Sequence, residues 1–313
     1  MIVALSQLNS TVGDLAGNAA LINNAIQRAK NDANILVFPE MVLTGYPTKD
    51  LIFDLDFIDS AYDTLLEISK NVFDIVVLVG FVRRENDKIY NSVAIMQSGK
   101  IIGFRDKTLL PNYDVFDERR YFSPAKKIEP VNIELNGDNI RLGVQICEDL
   151  WDDDYNLKVS DVLIDQGVDM IINLSASPFH IHRIKDRIEN VRQKVRKSNT
   201  PYIYCNSIGY QEELVFDGQS FVMNADGNII SLAKAFKEDF ITLDISCQND
   251  NKSFNVLDKY DELFMALSLG VKDYFRKTNH SRAVIGLSGG IDSALTAAIA
   301  AEAIGPQNIV GVA

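Results

Sequence analysis

An α/β layered sandwich, followed by the start of a second α/β unit, is the fold class that this sequence predicts. Three observations carry the prediction. Strand-like and helix-like segments alternate over roughly the first 175 residues. Hairpin signals break into that alternation, which favours a mixed sandwich over a simple parallel sheet. Beyond a polar stretch near Gln248, one strand–loop–helix–strand unit ends the chain.

In order, Ile2–Gln7 reads as a strand, and Asp14 caps a helix to Lys30 that carries Leu15, Ala19, Leu21, Ile22 and Ile26. Ile35–Phe38 is a short apolar run stopped by Pro39, and a second helix spans about Asp56–Lys70. Ile75–Val82 is rich in β-branched residues, and Ser92–Gln97 and Lys100–Phe104 flank a Ser-Gly turn. Ile140–Ile146 and Met170–Leu174 read as buried strands. Ile184, Ile188, Val191 and Val195 form one stripe of a helix from about Ile181 to Lys197. Strands follow near Pro201–Asn206 and Ser220–Asn224, then a hairpin around Ala225-Asp226-Gly227, then Phe240–Ile245.

The polar residues 248–255 are read as a linker between a first domain, 1–247, and a second segment, 256–313. That segment opens with a helix over about Val256–Lys277. The strand Ala283–Leu287, a loop at Ser288–Ser293, the helix Ala294–Ala303 and the strand Asn308–Val312 complete a βαβ unit. One such unit cannot cover both faces of a sheet, so the chain is expected to be truncated within its second domain.

The composition, 47% apolar and 24% charged, is that of an ordinary globular protein, and no run approaches the ~20 apolar residues of a membrane span. A formal charge of −12 argues against a nucleic-acid surface. Cys147, Cys205 and Cys247 are far apart and suggest neither a disulfide framework nor a zinc site. With no basic leader before the first strand, a reducing cytoplasm is the expected compartment.

Three polar residues stand at the ends of apolar strands. Cys147 ends Arg141–Ile146 and is followed by Glu148 and Asp149. On residue type alone such a thiol is inert core filling, and a nucleophile needs a base, an oxyanion stabiliser and a cleft. The histidines His180, His182 and His280 leave a Cys–His pair open. Glu40 directly follows Ile35–Pro39, and Lys107 follows the hairpin strand before Thr108-Leu-Leu-Pro111. Singly, each is an unremarked loop charge.

Together, Phe-Pro-Glu40 with Thr-Gly-Tyr-Pro47, Asp-Lys107 with Leu-Pro-Asn-Tyr113, and Gln-Ile-Cys147-Glu-Asp-Leu-Trp151 resemble the ordered Glu–Lys–Cys signature of the nitrilase, or carbon–nitrogen hydrolase, superfamily. The resemblance covers about residues 1–245 and implies a four-layer α-β-β-α sandwich. It makes Glu40 the general base, Cys147 the nucleophile and Lys107 the cation beside the developing oxyanion. A Lys–Glu pair beside the thiol would also favour the thiolate. Glu118, in Asp117-Glu-Arg-Arg-Tyr-Phe122, matches the superfamily's second glutamate in a supporting role; a solvated loop charge is the other reading.

The substrate is narrowed by the second segment. Gly286-Leu-Ser288-Gly289-Gly290-Ile291-Asp292-Ser293 presents backbone N–H groups at a helix start, suited to an anion. A tight strand–helix turn capped by Asp292 is the bland alternative. Ser-Gly-Gly-x-Asp-Ser is the signature of ATP-pyrophosphatase loops in doubly wound, adenine-nucleotide α-hydrolase-like domains. A nitrilase-type amidase ahead of it resembles the glutamine-dependent NAD synthetase family. That resemblance implies ATP and Mg²⁺, with glutamine, nicotinate adenine dinucleotide and ATP as substrates, while the resemblance to the nitrilase superfamily, which commonly dimerises through its sandwich, implies a homo-oligomer. The synthetase resemblance also implies that Tyr113, Ser177 and Arg183 bind glutamine, with Glu148 facing the substrate ammonium. This chain alone is expected to keep only the glutaminase half. A free-standing ω-amidase or nitrilase, and an inactive interaction module, are the rival readings.

Overall fold

Two runs of strands, each interrupted by two helices, build two six-stranded sheets. The structure, a computed structural model, describes residues 1–135, 137–246 and 256–313. The first run is β1 (Ile2–Gln7), α1 (Leu15–Ala29), β2 (Ile35–Val37), α2 (Leu55–Ser69), β3 (Val76–Glu85), β4 (Lys88–Gln97) and β5 (Lys100–Asp106). Asp14 caps α1 by accepting the Gly17 N–H at 2.8 Å, and Asp54 caps α2. β1, β2 and β3 pair in parallel, as their helical crossovers require, whereas β3, β4 and β5 form an antiparallel meander.

The second run repeats the plan. It comprises β6 (Val131–Leu135), β7 (Asp138–Ile146), α3 (Val159–Asp165), β8 (Met170–Ser175), α4 (Arg183–Ser198) and β9 (Tyr202–Asn206). A separate hairpin follows, β10 (Ile208–Gln211) and β11 (Leu214–Asp217), before β12 (Phe221–Met223) and β13 (Ile229–Leu232). β14 (Asp239–Asp244) crosses back to pair antiparallel with β1. The sheet orders are β14-β1-β2-β3-β4-β5 and β13-β12-β9-β8-β7-β6.

The expected four layers are present. Val3, Leu5, Val37 and Val93 of one sheet meet Leu142, Val144, Ile172 and Ile203 of the other, all fully buried or nearly so. Ile22, Ile26, Leu65 and Ile68 of α1 and α2 cover the outer face of the first sheet. The predicted stripe Ile184, Ile188, Val191 and Val195 covers the second, and burying each such side chain is worth about 1.5–3 kcal/mol.

The structure corrects several boundaries. α4 starts at Arg183 rather than Ile181, because His182 takes a left-handed φ of 62° and ends a turn. β4 begins at Lys88, four residues before the turn-proximal part that the pattern marked. β6, α3 and the β10–β11 hairpin were not foreseen; each is short, and only part of each faces the core. The proposed linker 248–255 and Cys247 lie outside the described residues.

In the second segment, α5 (Lys259–Lys277) is capped by Asp258 and lies against β10 and β11. β15 (Ala283–Gly286) and β16 (Ile309–Val312) pair in parallel around α6 (Ile291–Ile304). α6 begins three residues earlier than expected, so Ile291–Ser293 form its first turn. Val284 of β15 and Val310 of β16 are 74% and 54% exposed.

Candidate active site

Four loops at one end of the sandwich bring the strand-end residues together. β2 delivers Phe38, Pro39 and Glu40, and Gly80 on β3 makes the close crossing possible. A Cβ at Gly80 would lie 2.4 Å from Met41 N and 2.5 Å from Pro39 O, so a side chain there would push the Glu40 turn aside. Glu40 is 2% exposed yet fully partnered. Its Oε1 accepts Asn91 Nδ2 at 2.7 Å and Lys107 Nζ at 2.8 Å, and its Oε2 accepts the Ala176 N–H at 2.8 Å.

Lys107, directly after β5, is 1% exposed and also donates to Glu118 Oε1 at 2.8 Å. Tyr46 Oη donates to the same Glu118 oxygen at 2.9 Å. One ammonium therefore bridges two buried carboxylates through charge-assisted hydrogen bonds, and removing it would leave both carboxylates buried without a cation. Burial pulls the Lys107 ammonium down, but Glu118 and Glu40 more than offset it and hold its pKa well above the usual lysine range. Glu118 is pushed up to about 7, chiefly by burial and by Glu40, against the pull of Lys107. The reading of Glu118 as a solvated loop charge is thus excluded.

Cys147 immediately follows β7 with a φ of 42°, a conformation sparsely used by side chains other than glycine and found where a strand turns sharply to present a residue. A short helical turn, Cys147–Leu150, follows. Asp149 staples this turn to the Lys107 segment: its Oδ1 accepts the N–H groups of Thr108 (3.0 Å) and Leu109 (2.8 Å), and its Oδ2 that of Ile146 (3.1 Å). Asp149, Asn91 and Tyr46 were missed by sequence reasoning. Asp149 alone had a visible signal, as a second carboxylate in a buried strand end.

Lys107 favours the thiolate, as expected, but burial and other neighbours outweigh it. Burial raises the Cys147 pKa well above the ordinary thiol value, and Glu40 raises it further, while Lys107 only partly opposes them. The resting group is therefore a thiol, and a base must take its proton. Alkylation of Cys147 by iodoacetamide, followed by mass spectrometry, is expected to accelerate from pH about 7 to about 9 without a plateau. A plateau near neutrality would mean a preformed thiolate.

The remaining expected residues lie around this thiol. Tyr113 Oη, half-exposed, donates to both oxygens of Glu148 at 3.0 and 3.1 Å, and Tyr155 Oη donates to Glu148 Oε1 at 2.9 Å. Burial, with Glu148 adding to it, raises Tyr155 to about 12, so it stays a donor. Arg183 places its guanidinium 3.9 Å from the ring centre of Trp151, and its Nε is buried without a hydrogen-bond partner among the described residues. Ser177 is 1% exposed, and its hydroxyl accepts Arg187 Nε at 3.2 Å. Arg187 in turn grips Asp217 through two bonds of 2.8 and 2.9 Å, a buried ion pair that fixes the Ser177 loop.

The Ser288–Ser293 loop is not part of this constellation. It is exposed, and its hydrogen bonds stay within the second segment: Ser288 N–H to Ser293 Oγ at 3.3 Å and Ser293 Oγ to Gly290 O at 3.0 Å. Gly289 has a φ of +78°, and a Cβ at Gly286 or Gly289 would meet nothing within 4 Å, leaving room for a ligand against the backbone. Among the described residues no three His, Cys, Asp or Glu side chains converge as a metal site, and no helix is long and apolar enough to cross a membrane.

Comparison with known proteins agrees with both segments. Residues 2–249 match the carbon–nitrogen hydrolase family and residues 263–313 the NAD synthase family. A glutamine-dependent NAD(+) synthetase of Synechocystis sp. is 39% identical over 99% of this chain and 59% of its own length. One from Thermotoga maritima is 36% identical with the same coverage. The chain thus spans 59% of the length of each of these relatives. Among solved structures, a glutamine-dependent NAD+ synthetase from Acinetobacter baumannii in complex with ADP superposes with a TM-score of 0.89 at 33% identity, over 99% of this chain and 58% of that one. An amidase from Nesterenkonia sp., at 19% identity and TM-score 0.67 over 78% of this chain and 89% of its own, shares the fold of the sandwich.

Proposed function

We propose that this chain, which belongs to the carbon–nitrogen hydrolase family, hydrolyses glutamine at Cys147 to supply ammonia for ATP-dependent synthesis of NAD. The observation that carries this reading is Lys107 Nζ, 2.8 Å from both Glu40 and Glu118, buried within the electrostatic reach of the Cys147 thiol.

Glu40 takes the thiol proton as Cys147 Sγ attacks the side-chain amide carbon. The carbonyl oxygen becomes an oxyanion beside the Lys107 ammonium, whose charge is already in place and needs no reorganisation. Collapse, with Glu40 passing its proton to the leaving nitrogen, expels ammonia and leaves a thioester. Glu40 then deprotonates the water that attacks that thioester and returns the proton to the departing sulfur, releasing glutamate and the thiol. Glu118 keeps Lys107 charged and aimed, with Tyr46 holding Glu118.

Glutamine recognition follows from charge. Glu148, steadied by Tyr113 and Tyr155, suits the α-ammonium, and the Arg183 guanidinium, whose Nε lacks a hydrogen-bond partner among the described residues and whose Nη1 lies 3.9 Å from Asp186, suits the α-carboxylate, in line with the relatives' names. Ser177, whose hydroxyl is held by Arg187, joins Tyr113 and Arg183 in receiving glutamine. Ammonia release from glutamine is expected to exceed that from glutaramate, which lacks the ammonium, by at least about 100-fold. Comparable rates with glutaramate or aliphatic nitriles would favour a general ω-amidase or nitrilase.

For the second half we assign residues 256–313 to the ATP-binding unit, with Gly286, Ser288, Gly289, Gly290, Ile291, Asp292 and Ser293 receiving the phosphates of ATP. The 14-residue α6 directs its N-terminus at this loop. Among the described residues no three His, Cys, Asp or Glu side chains converge to hold the Mg²⁺ that accompanies ATP. Residues 1–247 form the amidohydrolase and 248–255 the join. Nicotinate adenine dinucleotide as acceptor, a cytoplasmic setting for the free thiols and assembly into a homo-oligomer complete the proposal.

A further inference from the structure

α5 belongs to the second segment, yet two of its carboxylates are buried against the sandwich. Near its C-terminal end Asp273, 2% exposed, accepts Asn9 Nδ2 at 2.7 Å and the Tyr210 N–H at 2.8 Å, while Lys277 Nζ donates to Tyr210 O at 2.8 Å. Near its N-terminal end Glu262, 1% exposed, accepts the His182 N–H at 2.8 Å. The same oxygen lies 3.3 Å from His182 Nδ1, too poorly aligned for a second hydrogen bond. The anchors are eleven residue steps apart, about 16 Å along the helix, so α5 is clamped at both ends.

His182 is the residue whose left-handed φ of 62° starts α4, and Arg183 is the next residue. For a side chain with a Cβ that backbone state is disfavoured and must be held by its surroundings. Glu262 supplies a charged acceptor for the N–H at the strained position. Arg183 then lies over Trp151, on the turn opened by Cys147, with its Nε unpartnered.

We propose that Glu262 is a positioning residue for glutamine binding: by holding His182 in its left-handed turn it sets Arg183 in the site, so that α5 makes glutamine affinity depend on the second segment. The inference rests on the reading of Arg183 as receiver of the substrate carboxylate. Glu262 touches no reacting atom, so its influence falls on binding rather than on the thiol chemistry. Displacement of α5 would remove the acceptor, relax the turn and withdraw the guanidinium.

The test uses the full chain and measures ammonia release against glutamine concentration. Glu262→Ala is expected to raise KM about tenfold, as for loss of one buried hydrogen bond to a charged group, with kcat changed less than about twofold. Glu262→Gln keeps an acceptor for the N–H and should stay within about twofold of the parent KM. Adding His182→Gly to Glu262→Ala should recover most of the lost affinity, because glycine adopts the turn unaided. Trp151 is the only tryptophan, so its fluorescence should shift in Glu262→Ala and return in the double variant. Alkylation of Cys147 by iodoacetamide should match the parent in every variant. An unchanged KM in Glu262→Ala, a parallel loss of kcat and alkylation, or no recovery with His182→Gly would each overturn the inference. Arg183→Ala separates the two levels. If it leaves KM unchanged, the reading of Arg183 fails; if it raises KM while Glu262→Ala does not, only the role of Glu262 fails.

Discussion

Cys147→Ala is expected to lower ammonia release from glutamine by on the order of 10⁴-fold or more, the scale on which loss of an activated nucleophile is felt. The effect is large because no other thiol among the described residues stands at this site. Cys205 is fully buried in the seam between the sheets, and burial pushes its thiol well above the ordinary range. Alanine removes one buried sulfur while Asp149 keeps the turn stapled, so the denaturation midpoint should stay near that of the parent. Equal ammonia release from both proteins would remove Cys147 from the mechanism.

Lys107→Met should be nearly as damaging to activity and should also cost stability. It leaves Glu40 and Glu118 buried together without their shared cation, and breaking a buried pair this way costs about 3–5 kcal/mol. The loss has a predictable pH dependence. Lys107 now lowers the Glu118 pKa, so its removal lifts that folded-state value further above about 7, while the unfolded value stays near 4.5. Between those values the folded state then binds more protons than the unfolded state, so stability falls as pH rises. Urea denaturation should therefore find the variant closer to the parent at pH about 5 than at pH about 8. A gap that does not change with pH would mean that Glu118 and Glu40 are not the groups left unpaired. Glu118→Gln, added to Lys107→Met, should narrow the gap at the higher pH without restoring ammonia release.

The long periodic elements were legible because their burial follows one period. The stripe from Ile184 to Val195 and the strand Ile2–Gln7 are examples, and both lie where the pattern put them. Glu40, Lys107 and Cys147 were legible as polar breaks in apolar strands, and the order of their motifs supplied the family. What could not be read was cooperation at a distance. Asn91 reaches Glu40 across 51 residues and Glu262 reaches His182 across 80, and neither carries a local signal. The balance of charges around Cys147 was hidden for a related reason. Lys107 suggests a thiolate by sign alone, whereas burial and three carboxylates, Glu40, Glu148 and Glu118, outweigh it.

The division of the sandwich into two repeated runs has a consequence for how catalytic competence arises. Glu40 and Lys107 come from the first run and Cys147 from the second, and β14 returns from beyond the second to close the first sheet on β1. Neither run can hold a working site by itself. The geometry exists only after pairings more than 200 residues apart in sequence have formed, and contacts of that separation form late because loop closure must precede their reward. A nascent or partly folded chain therefore carries Cys147 without Glu40 and Lys107 beside it. The assembled constellation is a product of the docking of the two sheets, not of either run alone.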